Sequence, residues 1–178
     1  MQAYSDETSF DWPAAAHDVL EALGVSQVGY VPDAGHRRLI ELCQANPSMR
    51  AVPLTTEEEG IGLAAGAWLG GARAVLLMQS SGVGNCPNTL AMMKSCGLPF
   101  LALVTMRGEW GEFNPWQLPM GQTTAATLEL AGCAVYRADR PEDVAATLEA
   151  AGRLAFDAGA MAAVLIAQKL IGTKTFKE

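Results

Sequence analysis

The chain has 178 residues, half of them hydrophobic and 17% charged, with a formal net charge of −7. That length buries one sizeable core without disulfides or metals and leaves no room for two ordinary domains. The acidic balance excludes non-specific nucleic-acid binding and a polybasic membrane anchor, and polar or glycine residues break every apolar run before the ~20 residues a membrane helix needs.

Met1–Glu7 lacks the basic and then apolar stretches of a secretory signal, so a cytoplasmic protein is expected. Residues 1–12 read as a polar N-terminal extension that frays, apart from Phe10 and Trp12, which are placed to dock; residues 13–178 read as one α/β domain. Pro13 to Leu23 has helical spacing and ends at Gly24, and Val25 to Val31 reads as a strand stopped by Pro32-Asp33-Ala34-Gly35. A helix follows over His36 to Ala45, then a strand over Ala51 to Leu54, a helix over Thr56 to Leu69 and a strand over Ala74 to Met78. A glycine-containing turn leads to a helix over Pro87 to Ser95 and a strand over Phe100 to Thr105. Met106 to Gly121 reads as irregular. A helix near Thr124 to Ala131, a strand Ala134 to Tyr136, a helix Pro141 to Asp157 and a strand Ala162 to Ala167 complete the chain.

Unbroken apolar runs such as Ala74-Val75-Leu76-Leu77-Met78 suit strands covered on both faces. Six such strands alternating with helices predict a three-layer α/β/α fold around a six-stranded parallel sheet. Ligands then sit beyond the carboxyl ends of the strands. Four loops matter on that account: Pro32–His36, Thr55–Glu59, Gln79–Cys86 and Met106–Gly121. Cys43, Cys86, Cys96 and Cys133 lie far apart among apolar or small neighbours, which predicts buried, reduced thiols rather than disulfides. No metal site is expected from them, and two histidines, His17 and His36, do not make a histidine-rich one.

Thr55-Thr56-Glu57-Glu58-Glu59 opens the third helix, and its plain reading is a threonine cap with a capping-box glutamate. The same helix carries Gly60, Gly62 and Gly66, each costing about 1 kcal/mol relative to alanine. Gly62, Ala65, Gly66 and Leu69 share one smooth face, which predicts close packing against another backbone or helix.

Glu57 followed by Ala64-Ala65-Gly66 resembles the first helix motif of the pyrimidine-binding domain of thiamine diphosphate enzymes. Ser80-Ser81-Gly82-Val83-Gly84-Asn85 is similar to that family's Ser-Gly-x-Gly turn, and Gly29-Tyr30-Val31-Pro32-Asp33 to its Val-Pro turn. Glu-Glu-Glu-Gly-Ile-Gly, Leu-Leu-Met-Gln and Arg107-Gly108-Glu109 bring the resemblance nearest to sulfopyruvate decarboxylase α subunits and to the equivalent part of phosphonopyruvate decarboxylase. The likeness runs from about Pro13 to Ala167. It implies that Glu57 hydrogen-bonds the cofactor's pyrimidine N1′ and makes its imino tautomer accessible, in a dry setting where charge interactions are strong. Pro32, Ser81, Gly82, Val83 and Asn85 are implied beside the cofactor. Glu58 and Glu59 keep the capping role.

In the family the diphosphate is held through a divalent metal on a Gly-Asp-Gly … Asn motif. No Gly-Asp-Gly occurs in this chain. Gly82-x-Gly84 reads as a tight strand-to-helix turn or as a phosphate cradle, and Pro87 falls where a phosphate helix would present donors. The resemblance therefore implies a second subunit that carries the Gly-Asp-Gly … Asn motif and the Mg2+, in an α2β2 or larger assembly.

On the substrate side, His36 reads as a solvated helix-start histidine or a catalytic one, and Asp33 as a turn residue or a proton relay. Arg107 is either an anchor for an anionic substrate or a surface arginine. Trp110, Phe113 and Trp116 fall among Gly108, Gly111 and Pro115, which predicts a lid, an interface patch or simple docking onto the protein's own surface. The resembling decarboxylases tend to carry Gln-His where this chain has Trp116-Gln117, which removes a proton donor and leaves room for another 2-oxoacid. The leading expectation is the pyrimidine-binding subunit of a two-chain decarboxylase that releases CO2 and an aldehyde. A carboligase subunit and a non-catalytic regulatory module are the alternatives. No Gly-x-Ser-x-Gly elbow supports a hydrolase.

Overall fold

Each expected strand forms, and the connections between them decide where the polar side chains gather. The computed structural model describes residues 10–172. In chain order the elements are α1 (Trp12–Ala22), β1 (Val25–Tyr30), α2 (Arg37–Ala45), β2 (Arg50–Pro53), α3 (Glu57–Leu69), β3 (Arg73–Gln79), α4 (Pro87–Cys96), β4 (Phe100–Thr105), α5 (Leu118–Leu130), β5 (Ala134–Ala138), α6 (Val144–Ala158), β6 (Met161–Ile166) and α7 (Gln168–Ile171). Short 3-10 turns cover Ser80–Asn85, Pro115–Gln117 and Pro141–Asp143.

The six strands are all parallel, in the order β2-β1-β3-β4-β6-β5. Alternate residues of the central strands enter opposite cores, as the period of two requires. Val75 and Leu77 of β3 pack with Leu20 of α1, Leu39 of α2 and Leu148 of α6. Leu76 and Met78 pack with Ile61 of α3, Leu90 of α4 and Leu128 of α5. This is the expected three-layer fold, its sheet buried on both faces. Because β2 and β3 lie on opposite sides of β1, the strand order reverses there, and in open parallel sheets such a reversal is where ligands bind, beyond the carboxyl ends of the strands.

Several local expectations are corrected. The irregular segment ends at Gln117 rather than Gly121: Asn114 accepts a bond from Trp116 N at 3.1 Å, starts a 3-10 turn and feeds α5, with Pro119 in its first turn. β5 continues to Ala138, which pairs with Ile166 of β6. Trp12 docks at the start of α1, whereas Phe10 is exposed. The expectation of fraying for residues 1–9 lies outside the described residues. Cys43, Cys86 and Cys133 are buried and reduced, but Cys96, at the end of α4, is exposed.

The glycines of α3 also behave differently from one another. Gly60 makes the close approach, since a Cβ there would stand 2.8 Å from Leu54 Cδ1 and closer still to Leu76 Cδ1. The expected stripe does not pack within this chain: Ala65 is buried, but a Cβ on Gly62 or Gly66 would meet nothing within 4 Å, and Leu69 is exposed. No helix among the described residues is long and apolar enough to cross a membrane.

Candidate active site

Glu57 is the first residue of α3, delivered there by the end of β2. Neither Thr55 nor Thr56 caps through its side chain, contrary to the plain reading. The N-cap hydroxyl, Thr56 Oγ1, is buried with no hydrogen-bond partner. Glu59 does keep a capping role, accepting from Thr55 N at 2.7 Å. Glu58 is exposed. Glu57 instead turns inward, only 9% exposed, onto the 3-10 turn that follows β3.

That turn is shaped around the carboxylate. Asn85 Nδ2 donates to Glu57 Oε2 at 3.0 Å. A Cβ on Gly82 would stand 2.1 Å from Glu57 Oε1, so no larger residue fits there without moving it. Among the described residues no hydrogen bond reaches Oε1. Val83 is fully buried and anchors the turn in the core beside Ile61. Glu57 thus presents one engaged and one free carboxylate oxygen in a largely dry setting.

A second carboxylate is fixed where β1, β3 and β4 end. Thr105 Oγ1 donates to Asp33 Oδ2 at 2.6 Å, and Gln79 Nε2 donates to Asp33 Oδ1 at 2.9 Å. Ser81 Oγ donates to Gln79 Oε1 at 2.9 Å and so sets the orientation of that amide. Sequence reading passed over Gln79 and Thr105. The signal was there: each is the polar residue that ends an apolar strand. Beside Asp33 opens a groove of about 470 Å³, lined by Tyr30, Pro32, Arg37, Glu41 and Gln44 among others. Glu57 does not line it.

His36 is neither solvated nor open to the site. It is completely buried, and its Nε2 lies 3.3 Å from Met78 O and 3.1 Å from Leu103 O. Both partners only accept, so Nε2 carries the proton and Nδ1, which has no partner, holds the lone pair. Burial pushes its pKa down, against the pull of the nearby Asp33 charge, which keeps the ring neutral. The ring is thus enclosed and tied to two sheet carbonyls, not solvated at a helix start as one reading of the sequence has it.

Arg107 is likewise neither a surface arginine nor an open anion anchor. Its Nε and Nη2 donate to Glu112 Oε2 and Oε1 at 2.6 and 2.5 Å, and both side chains are buried. Glu112 also accepts from Gly108 N, Asn114 N and Gln168 Nε2, and the arginine beside it holds its carboxyl down at about 2. Gln168 Oε1 in turn accepts from Glu109 N and Trp110 N, both at 2.9 Å. Glu112 and Gln168 carried no sequence signal, since one lies in a loop and the other is more than fifty residues away. The network fixes the segment after β4, and its aromatics face outward. Trp110 is 61% exposed and Trp116 80%. Docking onto the protein's own surface is therefore excluded for these two. Gln117 contributes a buried Oε1 with no partner.

No family model matches the chain. The sulfopyruvate decarboxylase subunit alpha of Methanothermobacter thermautotrophicus is 38% identical over 121 residues, covering 67% of this chain and 73% of that one. The chain belongs to the sulfopyruvate decarboxylase α-subunit family. A phosphonopyruvate decarboxylase of Streptomyces viridochromogenes is 36% identical over 113 residues, 62% of this chain but only 28% of that longer one. This α-subunit-family chain thus aligns with one segment of that longer chain. A solved 2-oxoglutarate:ferredoxin oxidoreductase from Magnetococcus marinus superposes with a TM-score of 0.69 over 95% of this chain and 31% of its own, at 13% identity. That likeness concerns the fold alone.

Proposed function

We propose that this chain is the pyrimidine-binding subunit of a two-chain, thiamine diphosphate-dependent decarboxylase acting on a small 2-oxoacid of the sulfopyruvate or phosphonopyruvate type, with CO2 and an aldehyde as products. The observation that carries the reading is Glu57, largely buried, donated to by Asn85 on Oε2, pressed against Gly82 and free at Oε1. That free oxygen, with the unpartnered Thr56 Oγ1 one residue away, fits a heterocycle that offers a ring nitrogen. When bound, thiamine diphosphate supplies the nucleophilic carbon and the electron sink for loss of CO2. Glu57 would hold a proton at the pyrimidine N1′ through its free Oε1, and the 80–85 turn would help to hold the ring. Asp33, held at the joint end of three strands, moves the proton that completes the product. Trp110 and Trp116 border the substrate or the partner subunit.

The relatives' designation as α subunits supports a partner chain, and the absence of Gly-Asp-Gly from this sequence supports a partner that holds the diphosphate and Mg2+. The test is co-expression with a polypeptide bearing Gly-Asp-Gly … Asn. Calorimetry is expected to detect thiamine diphosphate binding only in the mixed complex. Glu57→Gln is expected to preserve assembly and lower CO2 release from sulfopyruvate by about 10²-fold or more, with Glu58→Gln near wild type. Full activity in Glu57→Gln, or damage confined to Glu58→Gln, overturns the assignment.

A further inference from the structure

Asp33 is held by residues that no part of the functional reading has used. Thr105 is fully buried at the end of β4, and its single O–H points to Asp33 Oδ2 at 2.6 Å in preference to Met78 O at 3.5 Å. Gln79 ends β3 and spends its Nε2 on Asp33 Oδ1 and its Oε1 on Ser81 Oγ. Ser81 belongs to the same 3-10 turn whose Gly82 and Asn85 bound Glu57. One six-residue turn therefore touches Glu57 directly and reaches Asp33 through a single glutamine.

We infer that Thr105 and Gln79 are positioning residues for the Asp33 carboxylate, and that Ser81, by fixing the Gln79 amide, keeps Asp33 in register with Glu57. Each of the two carboxylate oxygens has one donor from a different strand, so the group cannot rotate without losing a charge-assisted bond. Thr105 sits on a parallel strand locked on both sides, which makes its hydroxyl the stiffer of the two restraints. The inference rests on Asp33 serving in proton transfer, as proposed above.

The experiment is a double-mutant cycle in the co-expressed complex with thiamine diphosphate and Mg2+. Thr105→Val removes the hydroxyl at constant volume and Thr105→Ser restores it. Thr105→Val is expected to lower kcat about 10- to 100-fold, the effect of losing one hydrogen bond to a charged group, with KM changed less than about threefold. Thr105→Ser is expected to recover kcat to within about threefold of wild type, and in an Asp33→Asn background the valine is expected to add less than about threefold. The same cycle read by urea denaturation of the cofactor-free complex is expected to show a midpoint shift for Thr105→Val that shrinks beside Asp33→Asn. Equal shifts in the two backgrounds, or a normal kcat in Thr105→Val beside an inactive Asp33→Asn, overturn the positioning role alone. A normal kcat in Asp33→Asn removes Asp33 from the reaction and overturns the reading on which the role rests.

Discussion

Gly82→Ala isolates the geometry of Glu57 from its chemistry. Gly82 does not sit at positive φ, so the backbone accepts alanine without strain. The added methyl would nonetheless stand 2.1 Å from Glu57 Oε1 and 2.2 Å from Cδ. Ordinary contact needs about 3.5 Å, so the carboxylate must retreat by roughly 1 Å or more. It is the free end of a flexible side chain, so the fold gives way there at a cost of about 1–3 kcal/mol and the domain stays folded. A displacement of this size in a reacting geometry costs on the order of 10²-fold in rate. Decarboxylation is therefore expected to fall about 100-fold while the far-ultraviolet circular dichroism keeps its native form and the complex still assembles. Activity within about threefold of wild type in folded Gly82→Ala would show that the observed Glu57 position is not the working one.

Other consequences concern separate parts of the molecule. Because Arg107 holds Glu112 at about 2 against an ordinary 4.5, the pair stabilises the fold above pH 4.5, and that contribution fades as pH falls toward 2. Thermal unfolding across that range is expected to drop more steeply for wild type than for Glu112→Gln; parallel curves refute the linkage. Glu112→Gln itself is expected to lower stability by about 3 kcal/mol at neutral pH, because it leaves Arg107 buried without its counter-charge. Burial pushes Cys43 up to about 11 and Cys86 and Cys133 up to about 12, whereas Cys96 is exposed, so a thiol reagent at pH 8 is expected to label one cysteine rapidly in the native chain. Rapid labelling of more than one contradicts the packing. Trp116→Ala is expected to change the preference among 2-oxoacids more than the affinity for thiamine diphosphate, and equal effects on both would exclude a substrate-side role.

The architecture was readable before any coordinates because it rests on local chemistry. Apolar runs such as Phe100-Leu101-Ala102-Leu103-Val104 admit only a strand covered on both faces, and the separations between runs admit only helical crossovers. The role of Glu57 is what the family resemblance implies, carried by its spacing to Ala64-Ala65-Gly66 within one helix; taken alone, the same residues read as a helix cap. The sequence reads as irregular through Gly121, three residues into α5. In the fold Gly121 lies against Arg107 O and Gly108, where a side chain would not fit.

Partnership between distant loops is what composition and spacing did not determine. In sequence, His36 reads as solvated or catalytic and Arg107 as an anion anchor or a surface residue, yet one is enclosed by the carbonyls of two strands and the other is paired with Glu112. The donors on Asp33 come from residues 46 and 72 positions away. Hydropathy and periodicity are properties of neighbours along the chain, so they settle which segments pair and which faces are buried. The strand order β2-β1-β3-β4 alone brings Asp33, Gln79 and Thr105 to one point, because contact between loops is fixed by which strands lie side by side, not by the residues between them.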